Sequence, residues 1–223
     1  MLIKIIFIYL IPIIILPFFF KLKKLENQEL TQKIEQIITI SNLKVKAIYS
    51  ADASERTTHS NACVAGFGNT KKIIIFDTML NGNYSNDEIC AVLAHEIGHI
   101  KHKHILKMIA ISAFETLIML IILLFLLSNI KLYNAFNIPQ LLFAGLPIGL
   151  IVFNSLGFLL NAISNTISRY FEKQADDYSV KIMGSAKPLI ATFKYFIERD
   201  LANIHIHPLY EFLHLSHPSL LHR

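Results

Sequence analysis

Three apolar stretches, each about as long as a bilayer is thick, constrain this 223-residue chain more than any other feature. Leu2 to Phe20 is broken only by Lys4, Pro12 and Pro17. Ile109 to Leu127 carries a single charge, Glu115, and Leu141 to Leu160 carries none but contains Gly145, Pro147, Gly149 and Gly157. Roughly 20 apolar residues cross the hydrocarbon core as a helix. Composition agrees: 53% of residues are hydrophobic, 17% are charged and the mean hydropathy is +0.48, too apolar for an ordinary soluble domain. Lys4 before the first stretch would suit a signal peptide. No small-residue cleavage site follows Phe18-Phe19-Phe20, however, and Lys21, Lys23 and Lys24 come at once, so an anchor is expected. Spans are therefore expected over 1–20, 105–130 and 138–163. Those lysines, with Lys101, Lys103 and Lys107 and with Arg169 and Lys173, favour one cytoplasmic side and an outward N-terminus. Glu115 is expected either near the headgroups or facing the interior, hydrogen-bonded to Ser112 or Asn161.

Residues 21–104 read as a small mixed segment on the cytoplasmic side. Leu25 to Ile40 has helical spacing, while Leu43 to Tyr49, Ala62 to Phe67 and Ile73 to Phe76 are β-rich, and Asn81-Gly82-Asn83 makes a turn. Ser85-Asn86-Asp87-Glu88 has the form of a capping box. The helix it opens has Ile89, Val92, Leu93, Ile97 and Ile100 on a buried face and includes Ala94-His95-Glu96-Ile97-Gly98-His99. Residues four apart point about 40° from each other on a helix, so His95 and His99 can bind one metal ion. A carboxylate between them, Glu96, is placed to take a proton from a water and pass it to a leaving nitrogen. A chance pattern on a surface helix is the alternative, but the buried face argues against it. Gly98 costs about 1 kcal/mol against Ala in mid-helix, which implies that something approaches its backbone closely.

Hydrolytic zinc commonly takes three protein ligands. Glu172 and Asp176, four apart in Ser168-Arg169-Tyr170-Phe171-Glu172-Lys173-Gln174-Ala175-Asp176, share a helix face, so one could bind metal while the other holds a ligand histidine. A solvated charged face is the plain alternative. Two spans separate the histidines from Glu172 and return both to one side of the membrane.

HEIGH followed by FEKQAD resembles the gluzincin membrane proteases, which include the type I CAAX prenyl endopeptidases and the heat-shock protease HtpX. His59-Ser60-Asn61-Ala62 before Lys72 to Thr78, Asn203 before His207-Pro208-Leu209-Tyr210, and Ser216-His217-Pro218-Ser219-Leu220 ending at Arg223 are similar to the CAAX branch in order and spacing. The resemblance implies His95, His99 and Glu172 as ligands of one zinc ion per chain, Glu96 as catalytic base, and Asp176 and Arg223 in support. It also implies Asn61, Ala62 and Asn203 as substrate-binding residues, with Asn61 on an edge strand that pairs with the substrate backbone, and His217 as a stabiliser of the tetrahedral oxyanion. Where the family tends to place aromatic residues after the Asn-Ala pair, this chain has Cys63 and Ala65, which implies a smaller subsite wall. His222 stands where an acidic residue usually precedes the arginine, which argues against a carboxylate–Arg223 pair.

The expected protein is thus a mainly α integral membrane protein with a small α+β zinc metalloprotease domain and about three transmembrane helices. Residues 164–223 would form a helical segment carrying the third ligand and the His-Pro region. By resemblance its substrate is a polypeptide, a prenylated CaaX protein losing its last three residues. The alternatives are HtpX-like quality control of membrane proteins or an inactive truncated relic with a structural or binding role. The resemblance covers the C-terminal half of the family's usual length, so a partner or self-association is expected to supply missing helices. Its place would be a multi-pass one, in the endoplasmic reticulum membrane if eukaryotic and the inner membrane if bacterial. Cys63 and Cys90 indicate neither a disulfide framework nor a cysteine zinc knuckle; His102, His104, His205, His207, His214 and His222 could bind adventitious metal, but most of them are expected at interfacial or solvated positions. The net charge of +5 suits anionic membrane lipid, and nothing resembles a nucleic-acid-binding module.

Overall fold

Ile73, Ile74 and Ile75 are all buried, as only a strand covered on both faces can be, and they form the middle of a four-stranded sheet. The computed structural model describes residues 19–66, 68–200 and 205–223. The first apolar stretch, apart from its last two residues, and Asn203 lie outside these. The strands are β1 (Leu22–Lys24), β2 (Val45–Ala51), β3 (Ala62–Ala65) and β4 (Lys71–Phe76), in the order β1-β2-β4-β3. β2 and β4 are parallel; the other two pairs are antiparallel, with Ala62 opposite Ile75. Strand β1 has no sequence signature, since Leu22-Lys23-Lys24 reads as a charged flank, and it forms by pairing with β2.

The two sheet faces divide the core by alternation. Ile73 and Ile75 pack with Leu30, Ile34 and Ile37 of helix α1 (Gln28–Ile40), whose start is capped by Asn27 accepting the Leu30 N–H at 3.0 Å. Ile74 and Phe76 pack on the other face with Ala51, Ala53 and Leu22. Gly66, at φ +104, turns the chain after β3 where any side chain would strike the Thr70 carbonyl. Helix α2 (Asp77–Leu80) follows β4 directly, and its first carboxylate organises the loop before β3. Asp77 Oδ1 accepts the N–H groups of Ala53 and Ser54, both at 2.9 Å, and Oδ2 accepts the Ser54 hydroxyl at 2.6 Å.

Helix α3 (Asn86–Lys101) opens with the expected capping box: Ser85 accepts the Glu88 N–H, and Glu88 accepts the Ser85 N–H. It packs over the sheet through Ile89, Leu93 and Ile97. Its remaining stripe, Ala91, His95 and Gly98, meets helix α6 (Leu142–Met183) along Glu172, Ala175, Asp176 and Ser179. A Cβ on Gly98 would lie 3.1 Å from both Ala175 Cα and Tyr178 Cβ, so the neighbour that the mid-helix glycine implied is α6. Ser179, fully buried, donates its hydroxyl to the Ala91 carbonyl at 2.7 Å. Phe193 and Leu189 of helix α7 (Lys187–Asp200) pack with Ala91.

Residues 19–104, 171–205 and 219–223 cluster as one compact unit within the described residues, and Ile105–Tyr170 with Ile206–Pro218 as another. The second contains most of helix α4 (His104–Ser128), helix α5 (Ile130–Ala135), the first part of α6 and helix α8 (Pro208–His214). Among the described residues two helices, α4 and α6, are long and apolar enough to cross a membrane, with mean hydropathies of 2.6 and 2.0 over their most apolar windows. Phe114, Ile121, Phe125, Phe143 and Ile151 are exposed. The helices approach through small residues: a Cβ on Gly145 would collide with the Tyr133 hydroxyl, and one on Gly149 would lie 2.6 Å from Leu123 Cδ1. Glu115 faces the interior but accepts from the Ser164 hydroxyl, not from Ser112 or Asn161. The helix register brings Ser164 opposite it, while the Ser112 carbonyl accepts from Thr116. No helix breaker lies between Gly157 and Gly184, so α6 runs unbroken past residue 163. Arg169 caps the end of α8, donating to the Glu211 and Leu215 carbonyls at 3.0 and 2.6 Å.

Two stability predictions arise here. Gly98→Leu should destabilise the sheet-bearing unit by about 1–3 kcal/mol through overpacking against the α6 backbone, read as a lower melting temperature in detergent, whereas Leu at a free helical site would stabilise. For Asp77, burial pushes the carboxyl up, but hydrogen bonds from the Ser54 hydroxyl and from the Ala53, Ser54 and Thr78 N–H groups outweigh it and hold the group below its ordinary value. A depressed carboxyl contributes stability above its unfolded pKa of about 4 and loses it as pH falls through the folded value. The melting temperature of wild type should therefore exceed that of Asp77→Asn at pH 7, and the gap should close as pH falls below about 4.

Candidate metal centre

The antiparallel meeting of α3 and α6 puts two imidazoles and a carboxylate together. His95 is 8% exposed and Glu172 is 4% exposed. His95 Nε2 lies 3.0 Å from His99 Nε2 and 3.5 Å from Glu172 Oε2, and His99 Nε2 lies 3.4 Å from Glu172 Oε1. One donor atom from each residue falls within 4.8 Å of the others. Donors held at about 2.1 Å by a tetrahedral zinc ion are about 3.4 Å apart, so this set fits one ion. Lone pairs aimed at a common point repel one another unless a cation or proton lies between them. The donor set is therefore chemically suited to a divalent cation.

Asp176, one helical turn after Glu172, accepts the His95 Nδ1–H at 2.9 Å and so turns Nε2 towards the centre. The Arg223 guanidinium pairs with the same carboxylate through two nitrogens, the Nε contact being 2.8 Å, and lies 3.3 Å from Glu172 Oε2. Its other face covers the Phe193 ring at 4.4 Å. The carboxylate–Arg223 pair that His222 argued against thus exists, because α6 supplies the acids that the preceding residue does not. Burial pushes the Asp176 carboxyl up, and the bonds from His95 and Arg223 with their charge bring it below its usual value.

Glu96 is partly exposed beside His95 on α3, and α3 packs against β3. Burial, helped by the Glu96 charge, pushes the Cys63 thiol up to about 12, so Cys63 is an unreactive small side chain on β3 near the catalytic candidate. β3 is an edge of the sheet. Ala62 is buried on it, and Asn61 immediately precedes it, with an exposed side chain and a carbonyl that accepts the Phe76 N–H at 2.9 Å. His217 lies exposed in the bend after α8 and belongs to the unit of the apolar helices. Sequence reasoning gave one residue no role: His104, grouped with histidines of which most are expected at interfacial or solvated positions, is buried with Nδ1 3.0 Å from His99 Nδ1. The only sequence signal was an unusual density of histidine around residue 100.

Residues 24–223 match Peptidase family M48. The chain is 34% identical to CAAX prenyl protease 1 of Saccharomyces cerevisiae over 96% of its own length and 51% of the yeast protein. It is 33% identical to the CAAX prenyl protease 1 homolog of Arabidopsis thaliana, covering 95% of this chain and 50% of that one. The uncharacterized metalloprotease YhfN of Bacillus subtilis is 30% identical at the same coverages. Among solved structures, Ste24p of S. mikatae superposes with a TM-score of 0.83 at 32% identity, covering 99% of this chain and 55% of that one. The chain spans about half the length of the curated relatives it matches. A match over residues 24–223 shows that this chain belongs to Peptidase family M48.

Proposed function

We propose that the chain is a membrane-embedded zinc metalloendopeptidase that removes the C-terminal tripeptide from prenylated CaaX proteins. Support comes chiefly from the convergence of His95, His99 and Glu172 donor atoms within 4.8 Å in a chain whose relatives are named CAAX prenyl protease 1. Zinc in such a site activates a water and polarises the carbonyl to be cleaved. The chain's own residues do the rest. His95, His99 and Glu172 would hold the ion, while Asp176 orients the first of them and Arg223 offsets part of the negative charge. Glu96 takes the proton of the attacking water and returns it to the leaving nitrogen. His217 is proposed to donate to the oxyanion.

Substrate is proposed to add as a strand beside β3, with Asn61 and Ala62 at the start of that edge and Asn203 assisting. Main-chain pairing is blind to sequence, so selectivity would come from the end of the peptide and its lipid, at about 0.8 kcal/mol per buried methylene. α4 and α6 would anchor the protease in lipid, with the first apolar stretch as a third span.

Glu96→Gln should retain zinc while turnover falls roughly 10²–10⁴-fold, because the base is lost and the ligands are not. His95→Ala, His99→Ala or Glu172→Ala should instead lower metal content, measured by elemental analysis. Full zinc in Glu172→Ala would move the third-ligand role elsewhere. The substrate assignment is checked by assaying prenylated and unprenylated peptides side by side. A large kcat/KM preference for the prenylated peptide is expected, and Asn61→Ala should weaken cleavage without stripping zinc. Equal kcat/KM, with cleavage of internal loops of unfolded membrane proteins, would replace CaaX processing with quality control.

A further inference from the structure

His104 opens α4 but stays with the metal centre. After Lys101 the chain turns through Lys103, at φ 54°, and brings the His104 ring back beside His99. The ring is 3% exposed and stacks on Phe171, with centroids 4.3 Å apart and planes 6° from parallel. Its Nδ1 lies 3.0 Å from His99 Nδ1, and its Nε2 lies 3.0 Å from Gln174 Oε1.

These contacts allow one consistent proton arrangement once His99 presents Nε2 to a cation. A neutral His99 whose Nε2 lone pair is committed to the centre carries its proton on Nδ1. Nδ1 of His104 must then accept, since a proton there would set two N–H groups against each other at 3.0 Å. The His104 proton is consequently on Nε2, and it needs an acceptor. The Gln174 amide oxygen is that acceptor. Gln174 sits on α6 between Glu172 and Asp176, so the helix that would supply the third ligand also ends this relay.

We propose that His104 and Gln174 are positioning residues that lock the tautomer and ring orientation of His99, the counterpart for His99 of what Asp176 does for His95. The proposal rests on the zinc reading above. It assigns His99 a neutral partner and His95 an anionic one, so the two histidines of the motif differ in basicity although the sequence presents them alike.

The test is the zinc dissociation constant of the purified full chain in detergent, by chelator competition, with the absorption spectrum of the cobalt(II)-substituted protein and the metal-free melting temperature alongside. His104→Phe keeps the stack on Phe171 but removes both nitrogens. It should weaken zinc binding about 10–100-fold and alter the cobalt bands, with little change in metal-free melting. His104→Asn returns an acceptor near the Nδ1 position and should recover most of the affinity. If His104→Phe does not fold, the other end decides: Gln174→Leu should weaken zinc binding and Gln174→Glu should not. Wild-type affinity and cobalt spectrum in His104→Phe, or equal affinity in the two Gln174 variants, overturns the proposal. So does a loss shared by Phe and Asn at 104 and matched by a fall in metal-free melting, which marks ordinary packing. A wild-type chain that binds no zinc overturns the metal reading together with this one.

Discussion

The backbone-to-backbone approach of α3 and α6 at Gly98 and Ala175 is the constraint on which the rest depends. Side chains of ordinary size would hold the two helices about 8–10 Å apart. With glycine facing alanine, and with Ala91 under Ser179, they close until short reaches suffice: His95 to Asp176 at 2.9 Å and His99 to Glu172 at 3.4 Å. Every polar group at the centre is set by that separation. The buried carboxylates are tolerable only because each has imidazole and guanidinium partners at once; an isolated buried charge would cost far more than the interface gains.

Periodicity and capping make this helix pair legible in the sequence itself. The Ser85–Glu88 capping box fixes where α3 starts and hence which way His95 and His99 face, and the spacing of Glu172 and Asp176 fixes a stripe on α6. Gly98 was informative because glycine in mid-helix is a local penalty that only a close neighbour explains. What could not be read were contacts set by register or by chain reversal. Glu115 finds Ser164 because of how α4 slides along α6, and His104 meets His99 because of one left-handed residue, Lys103. Arg223 finds Asp176 47 residues away in sequence, which no neighbouring residue foretells. Strand β1 shows the same limit, since three residues with two lysines become a strand only when β2 offers an edge.

Two uses of small residues recur in different solvents. In the sheet-bearing unit, Gly98 and Ala175 bring together polar side chains whose mutual bonds set the geometry. In the unit of apolar helices, Gly145 and Gly149 let α6 lie against Tyr133, Leu127 and Leu123, where dispersion is joined by the interior Glu115–Ser164 bond and by the Tyr133 hydroxyl on the Leu127 carbonyl. The same device therefore serves precision in one place and adhesion in the other.

In the proposed strand addition, the shortness of β3 would set a ceiling on grip. A strand of four residues directs the outward N–H and C=O groups of only every second residue, so an added peptide makes about four main-chain bonds, each worth about 1 kcal/mol net. That total corresponds to a dissociation constant near the millimolar range. A template so weak would retain neither substrate nor product by itself, and product could leave quickly. Residence would then be governed by whatever tethers the peptide outside the template. In a bilayer that tether also concentrates substrate into two dimensions, so encounter frequency, more than complementarity along the strand, would decide which chains are cut.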